Sequence, residues 1–263
     1  MGIKVPIYQI DAFAERPFQG NPAAVCPLED WLSDDLLQSI AEENNLSETA
    51  FYVGRNGAYE LRWFTPSKEV DLCGHATLAA AHVLFEAGRL EESRVTFQSR
   101  SGPLRVFREG GVLTLDFPAR PAVRCEVPPL MTDGLGAMPR ECYRAMDYMA
   151  VFESEDVIRG LAPDFRRLQS LDLRGVIVTS AGKTSDFVSR FFAPNYGIDE
   201  DPVTGSAHCT LAPYWADRLG KSIMTAQQLS KRAGKLRCRV EGERVFISGQ
   251  TVSYLEGTIK IEC

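Results

Sequence analysis

The sequence predicts an α+β protein of two similar halves, each a set of mostly short strands around one central helix. Three observations carry this. Alternating or β-rich runs recur through both halves, as in VPIYQIDAF from Val5 and LRVFREGGVLTLDF from Leu104. A proline-rich stretch at residues 118–129 separates the halves near the middle of the chain. Each half also holds one glycine-started helical segment, CGHATLAAAHVLFEAGRL from Cys73 and TGSAHCTLAPYWADRLGK from Thr204, and the two align without gaps over most of their length. On that register Glu69 meets Glu200, Gly74 meets Gly205 and His75 meets Ser206, each pair 131 positions apart.

The elements follow in order. A strand at 5–13 passes through the Gly20-Asn21-Pro22 turn into a second, short strand at 23–26. Ser33, then Asp34 and Asp35, then the 3–4 spacing of Leu36, Leu37 and Ile40 predict a capped helix that ends near Asn44-Asn45. Strands at 49–53 and 59–64 precede a helix over 74–88, and a strand–Gly turn–strand pattern fills 95–117. The second half reads as a strand at 142–152, a helix at 155–168, strands at 175–180 and 186–192, and a helix at 205–219. Strands in ERVFISGQTVSYLEGTIKI close the chain. The expected domains are 1–117 and 118–263, with the last strand able to cross back to the first.

Composition narrows the class of function. The 263 residues suit two ordinary domains, and 44% hydrophobic with 24% charged residues are values from which a core can be built. A net charge of −6 and a pI near 5.3 argue against nucleic acid or an anionic membrane as partner. The clearest basic stretch, KRAGKLRCR at 231–239, is short, is interleaved with apolar residues and reads as the solvated face of a strand. No apolar run approaches the roughly 18 residues of a membrane helix, and Met1-Gly2 leads straight into a strand pattern with Pro6 where myristoylation wants Ser or Thr. Seven cysteines without a CxxC spacing or a secretory leader point to reduced thiols in a cytoplasmic protein, with no structural zinc and no disulfide framework.

The chemistry gathers at three stretches. The first turn of a helix carries unpaired N–H groups and partial positive charge, and glycine there lets a ligand approach the backbone. Gly74 and Gly205 therefore suit a small anion; the alternative is that they only permit close helix packing. Cys73 and His75 form a poor nucleophile pair on this reading, because residues two apart at a helix start do not face each other well. No further Cys/His/Asp spacing completes a metal site around them, so no metal is expected. His82, within an apolar helix, reads as a satisfied structural histidine. Asp201, just before Pro202, suits either a helix cap or a contact to a substrate cation. Glu48, in the turn of NNLSETA between helix and strand, is a candidate general acid/base if burial raises its pKa toward neutrality.

Taken together, QIDAFAERPFQGNPAAV, NLSETAF, EVDLCGHATLAAAHVL and DPVTGSAH resemble the phenazine-biosynthesis PhzF-like proteins, in the same order and at similar spacing over most of the chain. The resemblance implies a diaminopimelate-epimerase-like fold: two similar domains, each a β-barrel-like sheet wrapped around a central helix, with the active site between them. It implies isomerisation of a small carboxylate, such as a dihydro-hydroxyanthranilate, without metal or organic cofactor, in a homodimer. On the matching positions it implies Glu48 as the residue that moves the proton, and His75 and Asp201 as orienting groups. Ser206 and the helix-start amides at Gly74 and Gly205 would bind the carboxylate. Related epimerases and racemases use two opposed cysteines; here Cys73 is present, but the register puts Thr204 at the second position, and its hydroxyl is far too weak an acid. Two other readings stand beside the isomerase: an amino-acid epimerase or racemase using Cys73, and a non-catalytic protein that binds a small acid.

Overall fold

Short alternating segments become strands throughout the computed structural model, which describes residues 2–55, 58–86 and 93–261. In chain order the elements are β1 (Ile3–Ala12), β2 (Asn21–Leu28), α1 (Asp34–Asn44), β3 (Glu48–Arg55), β4 (Ala58–Phe64), β5 (Glu69–Val70), α2 (Gly74–Glu86), β6 (Arg94–Ser99), β7 (Gly102–Glu109) and β8 (Val112–Pro118). Then come β9 (Val123–Arg124), α3 (Pro129–Leu135), β10 (Glu141–Arg144), β11 (Tyr148–Val151), α4 (Glu155–Gly160), α5 (Phe165–Leu168), β12 (Val176–Ala181), β13 (Phe187–Phe192) and α6 (Gly205–Leu219). The chain closes with β14 (Ile223–Gln228), β15 (Gly234–Glu241), β16 (Arg244–Gly249) and β17 (Thr251–Ile261).

The chain divides into two units: residues up to Asp116 together with those from Ser248, and Phe117–Ile247. A boundary at 117/118 alone would leave β17 with the second unit. It belongs to the first because it pairs antiparallel with β1 at ten positions, from Ile3 opposite Ile261 to Ala12 opposite Thr251.

Strand pairing repeats between the units. In the first, β1–β2 is antiparallel, β2–β3 parallel, β3–β4 antiparallel, β4–β6 parallel and β6–β7 antiparallel. In the second, β10–β11, β11–β12, β12–β13, β13–β14 and β14–β15 follow the same alternation. Parallel neighbours need a crossover, and helices supply it: α1 and α2 in the first unit, α4 with α5 and then α6 in the second. The α+β duplication expected from the sequence is therefore present at the level of topology.

The first central helix, α2, is apolar on all sides in sequence and buried nearly all round in the structure, from Gly74 through Phe85 with His82 the exception. It packs against β1, β2, β3, β7 and β17, so strands from both ends of the sheet reach it and the sheet curves around it. On the other side of the same sheet, Leu37, Ile40 and Ala41 of α1 join Val5, Cys26, Phe51 and Phe64 in a second cluster. Each such fully buried large apolar side chain contributes about 1.5–3 kcal/mol.

The second central helix contains Pro213, which cannot donate to the carbonyl of Cys209 four residues back. The backbone N–H of Arg120 donates to that carbonyl instead, at 2.9 Å, so the proline-rich connection repairs the helix it passes.

Two expectations need correction. The strand expected over 142–152 is a hairpin, β10 and β11, because the chain turns at Ala145–Asp147, where the Ala145 N–H donates to the Asp147 carbonyl. The helix expected over 155–168 is two short helices, because Pro163 disfavours a helical residue before it; Leu161 is already extended, and Asp164 caps α5 by accepting from the Arg167 N–H. The helix expected over 74–88 runs to Glu86, and Gly88 lies outside the described residues. Lys235 and Arg237 of the basic stretch lie on the exposed face of β15, while Leu236 and Cys238 are buried, as the alternation predicts.

Candidate active site

In the first unit, α1 stops where the backbone of Asn45 turns left-handed and its N–H donates to the carbonyls of Ala41 and Glu42. Three residues later the chain enters β3, and Glu48 is its first residue rather than part of a free turn. Asn44 fixes this junction by donating to the Thr49 hydroxyl at 3.1 Å. β3 lies parallel to β2, with Glu48 opposite Ala23.

The start of α2 brings two more groups to the same place. Cys73 precedes the helix, and its carbonyl accepts from both the N–H and the hydroxyl of Thr77. His75, in the first turn, is only 4% exposed. Its Nε2 lies 3.4 Å from Oε2 of Glu48, whose side chain is 13% exposed. Its Nδ1 lies 3.2 Å from the Asn21 side-chain nitrogen and 3.5 Å from Cys73 Sγ. Helical spacing predicts that residues two apart do not face each other well. Cys73 and His75 do meet, because Cys73 sits outside the helix and its side chain does not follow the helical spacing.

Burial pushes the His75 imidazole down to about 3, against a weaker upward pull from a hydrogen bond to the Pro22 carbonyl. At neutral pH His75 is therefore an uncharged ring beside the Glu48 carboxyl group. Glu48, Cys73 and His75 each offer a ligand atom, and these atoms lie within 4.8 Å of one another. Spacing along the chain did not suggest that grouping, since Glu48 arrives from a different strand. The Nδ1 and Nε2 contacts of His75 lie on different edges of the ring, with the thiol at one and the carboxyl group at the other, which suits a line of polar contacts better than one ion held by all three.

The second unit builds its own cluster at the start of α6. Thr204 precedes the helix; its hydroxyl donates to Asp201 Oδ2, and its backbone N–H donates to Gln228 Oε1 at 2.9 Å. Gln228, fully buried, donates in turn to the Asp201 carbonyl and the Thr204 hydroxyl. Asp201 thus orders the Thr204 hydroxyl just ahead of the helix. Ser206, in the first turn, accepts from the Arg174 guanidinium at 3.1 Å. Arg174 is held by Asp147 through two hydrogen bonds and lies over the Phe191 ring. His208 is fully buried, donates through Nδ1 to the Thr204 carbonyl at 2.8 Å, and is pushed down to about 4 by burial.

The two helix starts match in detail. Gly74 and Gly205 each open their helix. Thr77 and His208, equivalent on the 131-residue register, each donate a side-chain hydrogen bond to the carbonyl just before the helix. Ahead of each start stands a buttress of the same kind. Arg62 binds Glu69 with two hydrogen bonds and lies over Phe64, while Arg190 binds Glu200 with two and lies over Phe192.

Glu48, His75, Gly74, Asp201, Gly205 and Ser206 are the site residues expected from the sequence. The structure places the first three together in one unit and the last three together in the other. It adds Asn21, Gln228, Arg174 and Asp147, which no local motif or spacing marks as site residues. Arg174 and Asp147 stand 27 positions apart, and only the sheet brings them together. His82 is a bound structural histidine, 2.8 Å from both the Thr251 and the Ser253 hydroxyls.

Comparison with known proteins agrees with this construction. The family described as PhzC-PhzF, phenazine biosynthesis-like protein, matches residues 10–257. An uncharacterised isomerase of Pseudomonas aeruginosa is 55% identical over 98% of this chain and 100% of its own. The crystal structure of a phenazine biosynthesis protein of the PhzF family from Enterococcus faecalis has a TM-score of 0.95 at 47% identity, covering 98% of this chain and 99% of that one. A hydroxyproline epimerase from Agrobacterium vitis, 10% identical with a TM-score of 0.63 over 99% of this chain and 93% of its own, shares the fold. With its duplicated sheets and matched helix starts, the chain belongs to the PhzC-PhzF, phenazine biosynthesis-like family, and it is an isomerase of that family.

Proposed function

We propose that the chain is a cofactor-independent isomerase that moves a proton between carbons of a small carboxylate, with Glu48 as the general acid/base. One observation carries the reading: a largely buried carboxyl group is fixed at a strand start, 3.4 Å from an imidazole that burial keeps neutral. A neutral ring neither neutralises the carboxylate nor locks it in the ionised state, so Glu48 can accept a proton from one carbon and return it to another. His75 and Asp201 orient the substrate's polar groups. Ser206 and the helix-start amides at Gly74 and Gly205 take its carboxylate, where unpaired N–H groups and the helix dipole favour negative charge. Because Ser206 already accepts from Arg174, its own hydroxyl proton is available to donate to that carboxylate. A dihydro-hydroxyanthranilate is the candidate substrate that the family resemblance supplies, and a homodimer the candidate assembly.

The experiment is proton exchange at carbon in D2O with a panel of small unsaturated carboxylates, the dihydro-hydroxyanthranilate among them. Wild type exchanges label into one of them, Glu48→Gln slows this roughly 100- to 10,000-fold, and prior dialysis against a chelator changes nothing. Equal exchange by Glu48→Gln removes the role given to Glu48.

A second reading is favoured by the 3.5 Å contact of Cys73 Sγ with His75 Nδ1: an epimerase in which the Cys73 thiol is one base. Cys73→Ser separates the two. Loss of turnover with Cys73→Ser, alongside tolerance of Glu48→Gln, selects the thiol.

A further inference from the structure

Cys125 and Cys142 lie outside both clusters, and nothing in the proposed chemistry uses them. Cys125 directly follows β9, and Cys142 is the second residue of β10. The register pairs Arg124 with Tyr143 and Val123 with Arg144, so the next step sets Cys125 opposite Cys142. The Cys125 N–H donates to the Cys142 carbonyl at 2.9 Å, which marks a hydrogen-bonded cross-strand pair. Cα atoms of such a pair stand about 5.5 Å apart, inside the roughly 4.4–6.8 Å span of disulfides. The two sulfurs are 3.5 Å apart, and closing to a bond of about 2.05 Å needs side-chain rotation rather than backbone movement.

The two thiols have different surroundings. Cys142 is buried in the apolar cluster with Tyr148 and Val176, and burial first, then the neighbouring Cys125 thiol, push its pKa up to about 12. Cys125 is half-buried and packs on the rim of that cluster. An oxidant in solvent meets Cys125 first, and Cys142 waits behind it as a protonated partner.

We propose that Cys125 and Cys142 form a reversible disulfide in response to hydrogen peroxide. The Cys125 thiolate attacks one peroxide oxygen: an S–O bond forms, the O–O bond breaks, and the departing hydroxide takes up the proton the thiol released. The Cys142 sulfur then attacks the sulfenic sulfur: the S–S bond forms, the S–O bond breaks, and the leaving hydroxide carries off the Cys142 proton as a second water. Both sulfurs are oxidised, the peroxide is reduced, and a thiol reductant reverses the change. The bond closes a loop that contains α3 and staples the two-residue β9 to the sheet just after the chain enters the second unit.

The test treats the full chain with hydrogen peroxide and digests it with trypsin without reductant. Cleavage after Arg124, Arg140 and Arg144 releases Cys125–Arg140 and Glu141–Arg144 as separate peptides. The expected product is the two joined, lighter than their sum by two hydrogens and parted by dithiothreitol. Oxidised protein melts several degrees higher than reduced protein, and reduction restores the lower value. Cys125→Ser abolishes the link, and Cys142→Ser leaves a dimedone-reactive sulfenic acid on Cys125. The proposal is overturned if wild-type Cys125 consumes peroxide but ends as sulfinic acid, if it links to another cysteine, if neither thiol reacts, or if the melting temperature is unchanged by the link.

Discussion

Ser206 and Arg174 show how one residue's chemistry is set by others. The guanidinium is fixed by Asp147 at two points, and its remaining reach goes to the Ser206 hydroxyl. Ser206→Ala removes the donor proposed for the substrate carboxylate, and a hydrogen bond to a charged group is worth about 1.5–3 kcal/mol. Steady-state kinetics should then show a KM raised roughly 10- to 100-fold, with kcat changed less. Arg174→Lys keeps the charge but cannot reproduce the fork that grips Asp147, so it should raise KM in the same direction while Ser206 is still present. Ser206 was legible in the sequence because it stands in a repeated pattern. Arg174 was not, because nothing local distinguishes it from the other arginines. The Cys73–His75 contact escapes the sequence for a related reason: helical spacing rules do not govern a side chain that precedes the helix.

At the level of elements, the sequence was most legible where a chemical signal marks the boundary. Asn45 ends α1, Gly74 and Gly205 open the central helices, and the Gly110-Gly111 turn joins β7 to β8. The hairpin between β10 and β11 went unseen because AMD, its turn, holds no glycine, proline or asparagine. The break between α4 and α5 had its signal in Pro163, and the apolar spacing on either side masked it. One turn is demanding enough to test. Gly20 sits at φ +65°, and a Cβ there would lie 2.1 Å from the Ala12 carbonyl oxygen, just ahead of Asn21 beside His75. Gly20→Ala should cost on the order of 2 kcal/mol or more, read as a lower urea midpoint at unchanged slope.

Across the whole molecule, acid stability follows from the histidines. The chain has three, and burial lowers all of them: His75 to about 3, His208 to about 4, and His82 also downward. Unfolding restores their ordinary value near 6.5, so the unfolded chain binds more protons below that pH. Stability is therefore full above about pH 6.5 and falls as pH drops toward the folded values, by up to roughly 1.4 kcal/mol per pH unit for each proton taken up. Glu141, Glu155, Asp172 and Asp186 are held below their usual range and contribute only as pH falls through 4.5 and lower. Urea midpoints should decline already between pH 6.5 and 5, and a midpoint that is flat there would contradict the neutral state of these rings. A last consequence comes from β17. It completes the sheet beside β1, yet the whole second unit is translated between them. The second unit is continuous in the chain and can finish folding as it leaves the ribosome. The first must hold one strand edge open until the end, and an open edge is where chains aggregate. Assembly thus runs against the order of synthesis: the half that begins the chain is the last to close.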